Sequence, residues 1–378
     1  MSQTYQIPDA AVSETPLAAR LTAATPAGGG PALEVKMHCG AQTPLRFSGN
    51  RDELTALLRS AGVFDLGYRT FLRATGRDRV RWLNGMITQT VKGMAAGQTG
   101  YTLVLNPQGR IQGDADVFMH EEFLVLETER SQSERLLSHL RRYIIMDDVK
   151  LEELDGATTA LGIAGPRAGE ILEKMGGAGP EAGRFCSAQL AGAEVTLVGA
   201  YSPVVPRYEI HVAAERALEL WNALVAAGAA PCGIAAMEDF RVLEGVPRYG
   251  VDFGDKHLPQ ETNLYRALNF TKGCYIGQEI VERIRARATV HRSLRQFELA
   301  GSAPKTAAGE KVELRTADAV VGELTSVAAI DLPDFTKTLA LGVVRVEALE
   351  KSEAGVEPIL YDGGVAVPLA ALTHPENL

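Results

Sequence analysis

The sequence predicts an α+β protein that ends in a small all-β module. Amphipathic helical segments and β-branched runs are mixed without a regular βαβ alternation. Beyond Arg295 the texture changes to short strand-like runs broken by Gly and Pro turns. With 46% hydrophobic residues, the 378-residue chain can bury a sizeable core, divided by usual domain sizes into about two or three units.

Residues 1–44 are rich in Ala, Pro, Gly, Ser and Thr, including Pro26-Ala-Gly-Gly-Gly-Pro31, and read as a loose N-terminal arm. A first helix follows Asn50, with Glu53 as its capping-box partner, Leu54, Leu57 and Leu58 as its apolar face and Gly62 as its stop. Ser131 and Glu134 form a similar box before Leu136, Leu137, Leu140, Tyr143 and Ile144. A third helix carries Leu218, Trp221, Leu224 and Val225, and a fourth runs over residues 235–244 until Pro247 closes it. Strands are expected over 101–105, 115–119, 123–128, 194–198 and 208–212, then over 312–314, 322–326, 339–346 and 359–361. No internal repeat is legible.

Bulk chemistry narrows the function. A net charge of −9 argues against direct nucleic-acid binding, because phosphate contacts rest on Lys and Arg. The four cysteines, Cys39, Cys186, Cys232 and Cys274, lie far apart without a CxxC pair, so neither a disulfide framework nor a self-contained metal site is expected. No run approaches the ~18 apolar residues of a membrane span. The first thirty residues contain no continuous apolar run, so no secretory signal is read. The expectation is a cytoplasmic protein without membrane contact.

The most unusual stretch is Thr271-Lys-Gly-Cys-Tyr-Ile-Gly-Gln-Glu279. Gly273 and Gly277 flank Cys274 and allow a sharp turn or a close approach to a ligand. Lys272 places a cation near the thiol, which favours thiolate. Gln278 both donates and accepts hydrogen bonds, and Glu279 adds a carboxylate. By composition alone the same stretch also suits a turn around an inert buried cysteine.

Lys272-Gly-Cys-Tyr-Ile-Gly-Gln-Glu279 resembles the motif of YgfZ-type proteins, folate-binding relatives of the glycine-cleavage T protein. Leu243-Glu-Gly-Val-Pro-Arg-Tyr-Gly-Val-Asp252, Leu258-Pro-Gln-Glu-Thr-Asn-Leu264 and Val290-His-Arg-Ser-Leu294 are similar to the segments around it. Phe64-Asp65-Leu66, Gly76-Arg-Asp-Arg79, Trp82-Leu-Asn-Gly-Met-Ile-Thr88, Ile163-Ala-Gly-Pro166 and Gly322-Glu-Leu-Thr-Ser326 extend the resemblance over most of the chain. It implies a T-protein-like three-domain fold: a folate-binding lobe from 45–155 plus 233–295, a second α+β lobe over 156–232, and a C-terminal β-barrel over 296–378. A central cavity would bind tetrahydrofolate or a derivative.

The resemblance also assigns residues. Asn106-Pro-Gln-Gly-Arg-Ile-Gln-Gly-Asp114 matches the stretch where T proteins carry two adjacent aspartates; Gly113 stands for the first and Asp114 for the second. Asp114 and Cys274 are therefore the catalytic candidates. Tyr101, Tyr201, Lys272, Gly273, Tyr275, Gln278 and Arg283 are expected to join Asp114 around the folate. Where T proteins have Gly-Tyr-Thr-Gly-Glu, this chain has Ala200-Tyr-Ser-Pro-Val-Val-Pro206, with apolar Val205 at the acidic position. That loss argues against ordinary glycine cleavage.

The basic run of Arg283, Arg285, Arg287, His291, Arg292 and Arg295 reads as a docking surface for a folate polyglutamate tail or as a solvated face. Three functions follow. The resemblance implies a YgfZ-like factor for iron–sulfur cluster assembly or repair, with iron–sulfur client proteins and effects on tRNA modification. The alternative is an enzyme, an aminomethyltransferase or other tetrahydrofolate-dependent one-carbon transferase or demethylase. The third is a scaffold without catalysis.

Overall fold

A computed structural model describes residues 13–24, 33–154, 156–287, 290–304 and 311–370. The chain opens with α1 (Pro16–Ala24), the hairpin β1 (Val35–His38) and β2 (Ala41–Pro44), α2 (Asn50–Arg59) and β3 (Gly62–Asp65). Next come β4 (Arg69–Thr75), α3 (Arg79–Met86), the meander β5 (Thr99–Leu105), β6 (Ile111–Met119) and β7 (Leu124–Glu129), α4 (Arg130–Arg141) and β8 (Lys150–Glu153). The same plan then recurs as β9 (Thr158–Ala164), α5 (Ala168–Lys174), β10 (Phe185–Leu190), β11 (Ala193–Gly199), β12 (Arg207–Ala213), α6 (Ala217–Ala226) and β13 (Ala230–Cys232). The sheet orders are β5-β6-β7-β4-β8 and β10-β11-β12-β9-β3-β13, identical strand for strand once β3 is inserted.

This structural repeat is absent from the sequence reading because only backbone geometry repeats. Gly76 ends β4 and Gly165 ends β9, with φ of +100° and +130°. A Cβ there would lie 2.1 Å from the Asp148 carbonyl oxygen and 2.4 Å from that of Ser60, so both strand-to-helix turns require glycine. The neighbouring side chains differ and hide the equivalence.

After α7 (Ile234–Leu243) and α8 (Gln278–Arg287) come β14 (Arg292–Gly301), β15 (Val312–Arg315), β16 (Val320–Leu332), β17 (Phe335–Arg345), α9 (Val346–Glu353), β18 (Leu360–Tyr361) and β19 (Gly364–Pro368). These six strands form the expected closed barrel, sealed by β14 pairing with both β17 and β19. Among the described residues no helix is long and apolar enough to cross a membrane.

Several local expectations need correction. Gly49, not Asn50, is the N-cap of α2, and Asn50 Nδ2 donates instead to Asp239 at 2.7 Å. Glu53 reaches further than a capping box: Oε1 accepts from the Phe47 and Ser48 amides at 2.6 Å, and Oε2 from Gly233 at 2.8 Å. The Ser131–Glu134 box does not form, because α4 begins at Arg130 and Ser131 Oγ donates to Glu129. β3, in a segment assigned to the first lobe, completes the second lobe's sheet.

The loose-arm expectation also fails for residues 16–24 and 35–44. The Gly-rich run at 26–31 lies outside the described residues. Leu17 and Ala18 are fully buried, Leu17 in the core that includes Leu220 and Leu224 of α6. Thr15 Oγ donates to buried Asp65, whose other oxygen accepts from the Gly67 amide at 2.8 Å. Burial raises the Asp65 pKa to about 6 despite these donors. Leu17→Ala is expected to lower unfolding free energy by about 2–5 kcal/mol in urea denaturation. An unchanged midpoint would mean that this segment contributes no core.

Candidate functional site

A cavity of ≈ 400 Å³ opens between the two sheets, in the size range of small-molecule sites. Its walls come from β4–β7, from β11, β12 and the loop after β11, and from α7 and the turns that follow it. Alternation along β6 sets one wall. Ala115 and Val117 face the core, whereas Asp114 and Asp116 face the cavity and are half-buried.

Asp114 is held from two sides. Tyr101 Oη donates to its Oδ2 at 2.6 Å, and Gln132 Nε2 to its Oδ1 at 2.8 Å, while Gln132 Oε1 accepts from the Asp114 amide at 3.1 Å. Gly113 makes this clamp possible: a Cβ there would lie 2.8 Å from Gln132 Oε1 and 2.7 Å from Leu136, and would push α4 away. Burial raises the pKa of Asp114 above the carboxylate norm, against the lowering effect of Tyr101, Gln132 and Arg266. Tyr201 also lines the cavity, with its hydroxyl buried and without a hydrogen-bond partner among the described residues. Arg266 stacks between both tyrosines, its guanidinium carbon 3.9 Å from the Tyr101 ring centre and 4.4 Å from that of Tyr201.

The deeper wall is an ion-pair network that joins the halves. Arg69 Nη1 reaches Glu127 on β7 at 3.0 Å and Glu209 on β12 at 2.7 Å. Arg207 adds a second contact to Glu209 at 3.1 Å, and His211 lies 3.2 Å from Glu127. Burial opposes charge on Glu127, but His211 and Arg69 outweigh it and hold the carboxyl well below its usual range. Ligating atoms of Glu127, Glu209 and His211 lie within 4.8 Å of one another, a grouping that sequence spacing could not reveal. Arg69 and Arg207 together balance the two carboxylates, so the group reads as an internal salt-bridge network.

The β1–β2 hairpin contributes His38 to the cavity wall. Its turn residues Cys39 and Gly40 have φ of +49° and +92°, as a tight hairpin turn requires. His38 meets Tyr68 edge-on at 4.6 Å, and Arg248 Nη1 reaches His38 at 3.0 Å and the Cys39 sulfur at 3.3 Å. Burial and then Arg248 lower the His38 pKa to about 4, so a neutral ring lines the site.

The Cys274 loop is a separate feature. Cys274 is exposed and is not among the residues lining the cavity. Nearly every neighbour in its motif is fastened. Lys272 Nζ donates to the carbonyls of Asn84, Ile87 and Gln89, each at 2.7 Å. Burial lowers the pKa of this amine, while three acceptors favour the charged form. The cation is thus committed to backbone. Ile276 donates to the Gly85 carbonyl at 3.0 Å, Tyr275 is buried, and Gln278 Oε1 accepts from the Tyr275 amide at 3.3 Å. Gly277, at φ +81°, packs its Cα face against the β5–β6 turn, where a Cβ would lie 2.7 Å from the Asn106 oxygen. Gly273, by contrast, has open space around it. Cys186 is also exposed, and Cys232 is buried.

The basic run does not line the cavity. Arg283 is exposed, Arg285 lies 4.6 Å over the Phe270 ring, and the side chain of Arg287 is outside the described residues. Arg292 pairs with Glu261 at 3.3 Å and Arg295 with Glu353 at 3.7 Å. The cavity takes its cations from Arg69, Arg207, Arg241, Arg248 and Arg266. Sequence reasoning missed these because they are scattered and form no local pattern.

The family described as the GCVT N-terminal domain matches residues 32–272. An aminomethyltransferase from Xanthomonas oryzae pv. oryzae is 26% identical, over 89% of this chain and 90% of that protein. One from Nostoc sp. is 26% identical over 67% of this chain and 70% of its own length, and one from Geobacillus kaustophilus is 29% identical over 67% and 74%. The crystal structure of glycine cleavage system aminomethyltransferase T from Bartonella henselae matches with a TM-score of 0.79, at 18% identity over 90% of this chain and 94% of that one. This similarity shows a shared fold.

Arg69→Leu is expected to cost about 3–5 kcal/mol, because it leaves Glu127 and Glu209 buried without their shared cation. Chemical denaturation checks it; a loss below about 1 kcal/mol would show that Arg207 and His211 suffice.

Proposed function

The chain belongs to the GCVT N-terminal domain family, and from that premise we propose that it binds a reduced folate between its two sheets and takes part in one-carbon transfer. The observation that carries the proposal is the Asp114 clamp on the cavity wall. A folate ring suits these surroundings: the cavity has aromatic walls, a clamped carboxylate, and a Tyr201 hydroxyl and Arg266 Nε that have no hydrogen-bond partner among the described residues. Tetrahydrofolate, when bound, supplies the nitrogen that carries a one-carbon unit. Asp114 has lone pairs left after its two donors and a raised pKa, and is suited to hold or move a proton at the cavity wall. Tyr101 and Gln132 fix its orientation, and Arg248 holds His38 of the β1–β2 hairpin in the cavity wall. Relatives described as aminomethyltransferases support the transfer chemistry, although apolar Val204 and Val205 where an acid is expected favour a substrate other than the usual one.

A second reading is favoured by one observation. The Cys274 motif fastens its loop with side chains and backbone while leaving the thiol exposed, as a factor for iron–sulfur assembly of the YgfZ type would need. In that reading the thiol meets a client protein, in the cytoplasm, and the folate is a bound cofactor.

Calorimetric titration with tetrahydrofolate is expected to show saturable binding, and Asp114→Asn to weaken it by about tenfold or more, since the amide puts a donor where Tyr101 or Gln132 already donates. Absence of binding to tetrahydrofolate and to its formyl and methylene forms would overturn the proposal. Cys274→Ser separates the readings. It should leave affinity within about twofold, as a remote change does. Under the iron–sulfur reading it should lower iron–sulfur enzyme activity in cells; full activity there leaves one-carbon transfer.

A further inference from the structure

Most charged groups on the cavity wall are paired within the protein, and two are not. Asp116 lies on β6 two residues beyond Asp114, on the same cavity-facing side, opposite Tyr101 on β5 and Glu127 on β7. Among the described residues its carboxylate makes no hydrogen bond and no ion pair. Arg266 is the second. Among the described residues its guanidinium is held by the two tyrosine rings alone, its Nε is buried without an acceptor, and none of its N–H groups meets a carboxylate or carbonyl. Enclosed polar groups without partners are costly, and in a cavity they mark where a ligand completes the pairing.

The two gaps are complementary. An ionised Asp116 can only accept hydrogen bonds; Arg266 can only donate. A ligand that satisfies both must present a donor edge and, beside it, an acceptor. A 2-amino-4-oxopyrimidine does this: its ring N–H and exocyclic amine form a donor pair matched to a carboxylate, and its carbonyl oxygen follows on the same edge. Building on the folate reading, we propose that Asp116 and Arg266 together recognise the pyrimidine edge of the ligand's pterin, Asp116 accepting from the N–H pair and Arg266 donating to the carbonyl. The tyrosines keep the guanidinium plane in place, so Arg266 acts as a fixed donor rather than a flexible one.

Electrostatics around Asp116 agree. Burial raises its pKa to about 6, Arg266 and Arg69 oppose the rise, and Glu209 and Glu127 add to it. The carboxylate is therefore mostly ionised at pH 7.5 while lacking a cation in direct contact. Asp114, in the same row, spends an oxygen on each of Tyr101 and Gln132, which leaves Asp116 the freer acceptor.

The test is titration calorimetry on the full chain at pH 7.5 with tetrahydrofolate and with a tetrahydropterin that lacks the aminobenzoyl-glutamate tail. Asp116→Asn and Arg266→Lys should each weaken both ligands by about ten- to hundredfold. The factor should be the same with and without the tail. The melting temperature of Asp116→Asn should stay level or rise, since that carboxylate has no protein partner to lose. An analogue with methyl in place of the 2-amino group should lose affinity for the native chain but lose little more against Asp116→Asn. A loss confined to the tailed ligand would mean that these residues read the glutamate end, and overturns the assignment. Tight native binding with unchanged affinity in both variants overturns it as well, and leaves the folate reading standing. A native chain that binds neither ligand overturns both.

Discussion

Arg69 is the interaction on which the site depends. One guanidinium on β4 binds a carboxylate from each half of the molecule, Glu127 and Glu209, at the back of the cavity. Sheets usually pack through apolar faces; here the facing strands carry charge and enclose a hole. The charges are tolerable only because they compensate one another in place. Arg207, beside Glu209 on β12, and His211, 3.2 Å from Glu127, extend the compensation, while the two hydrogen bonds of Arg69 tie one sheet to the other. A cavity with preset polar walls is the consequence.

That framework separates paired from unpaired groups, and the separation carries functional meaning. Glu127, Glu209 and Asp114 are engaged by the protein, so they shape and orient. Asp116, Arg266 and the Tyr201 hydroxyl point into the cavity with valences left over. The Cys274 loop obeys a different logic. Gly277 and Gly109 bring it against the β5–β6 turn, where a Cβ on Gly109 would lie 2.8 Å from Ile280. The loop is thus tied to the hairpin that carries Asp114, yet its thiol is turned outward. Cavity and cysteine lie against one hairpin but are separate features, since Cys274 does not line the cavity, and so the one-carbon and iron–sulfur readings can be tested apart.

Much of the fold was legible because it rests on local periodicity. The apolar faces of α2, α4, α6 and α7 and the core strands stand near the expected positions, since a 3.6- or 2-residue repeat survives without tertiary information. The barrel was legible from its turns. Helix starts were less so: Asn50 and Ser131 look like caps, but Asp239 and Glu129 compete for them. The helix and hairpin within the N-terminal segment were missed because its small residues resemble a linker until Leu17 finds α6.

At the site, the sequence by itself pointed to the strand of Asp114, the tyrosines at 101 and 201, and the cysteine motif with its two glycines; the first three line the cavity and the motif does not. These are contiguous patterns, and contiguity is what a sequence displays. Tertiary structure decided what each residue is doing. It committed Lys272 to three carbonyls rather than to the thiol, set Gly113 under Gln132, and gathered cations from β4, β12, α7 and two turns into one wall. The repeat itself also appeared only in three dimensions. Charge pairing and backbone approach act through space over a few ångströms, and residues distant along the chain meet there without leaving a trace in its order.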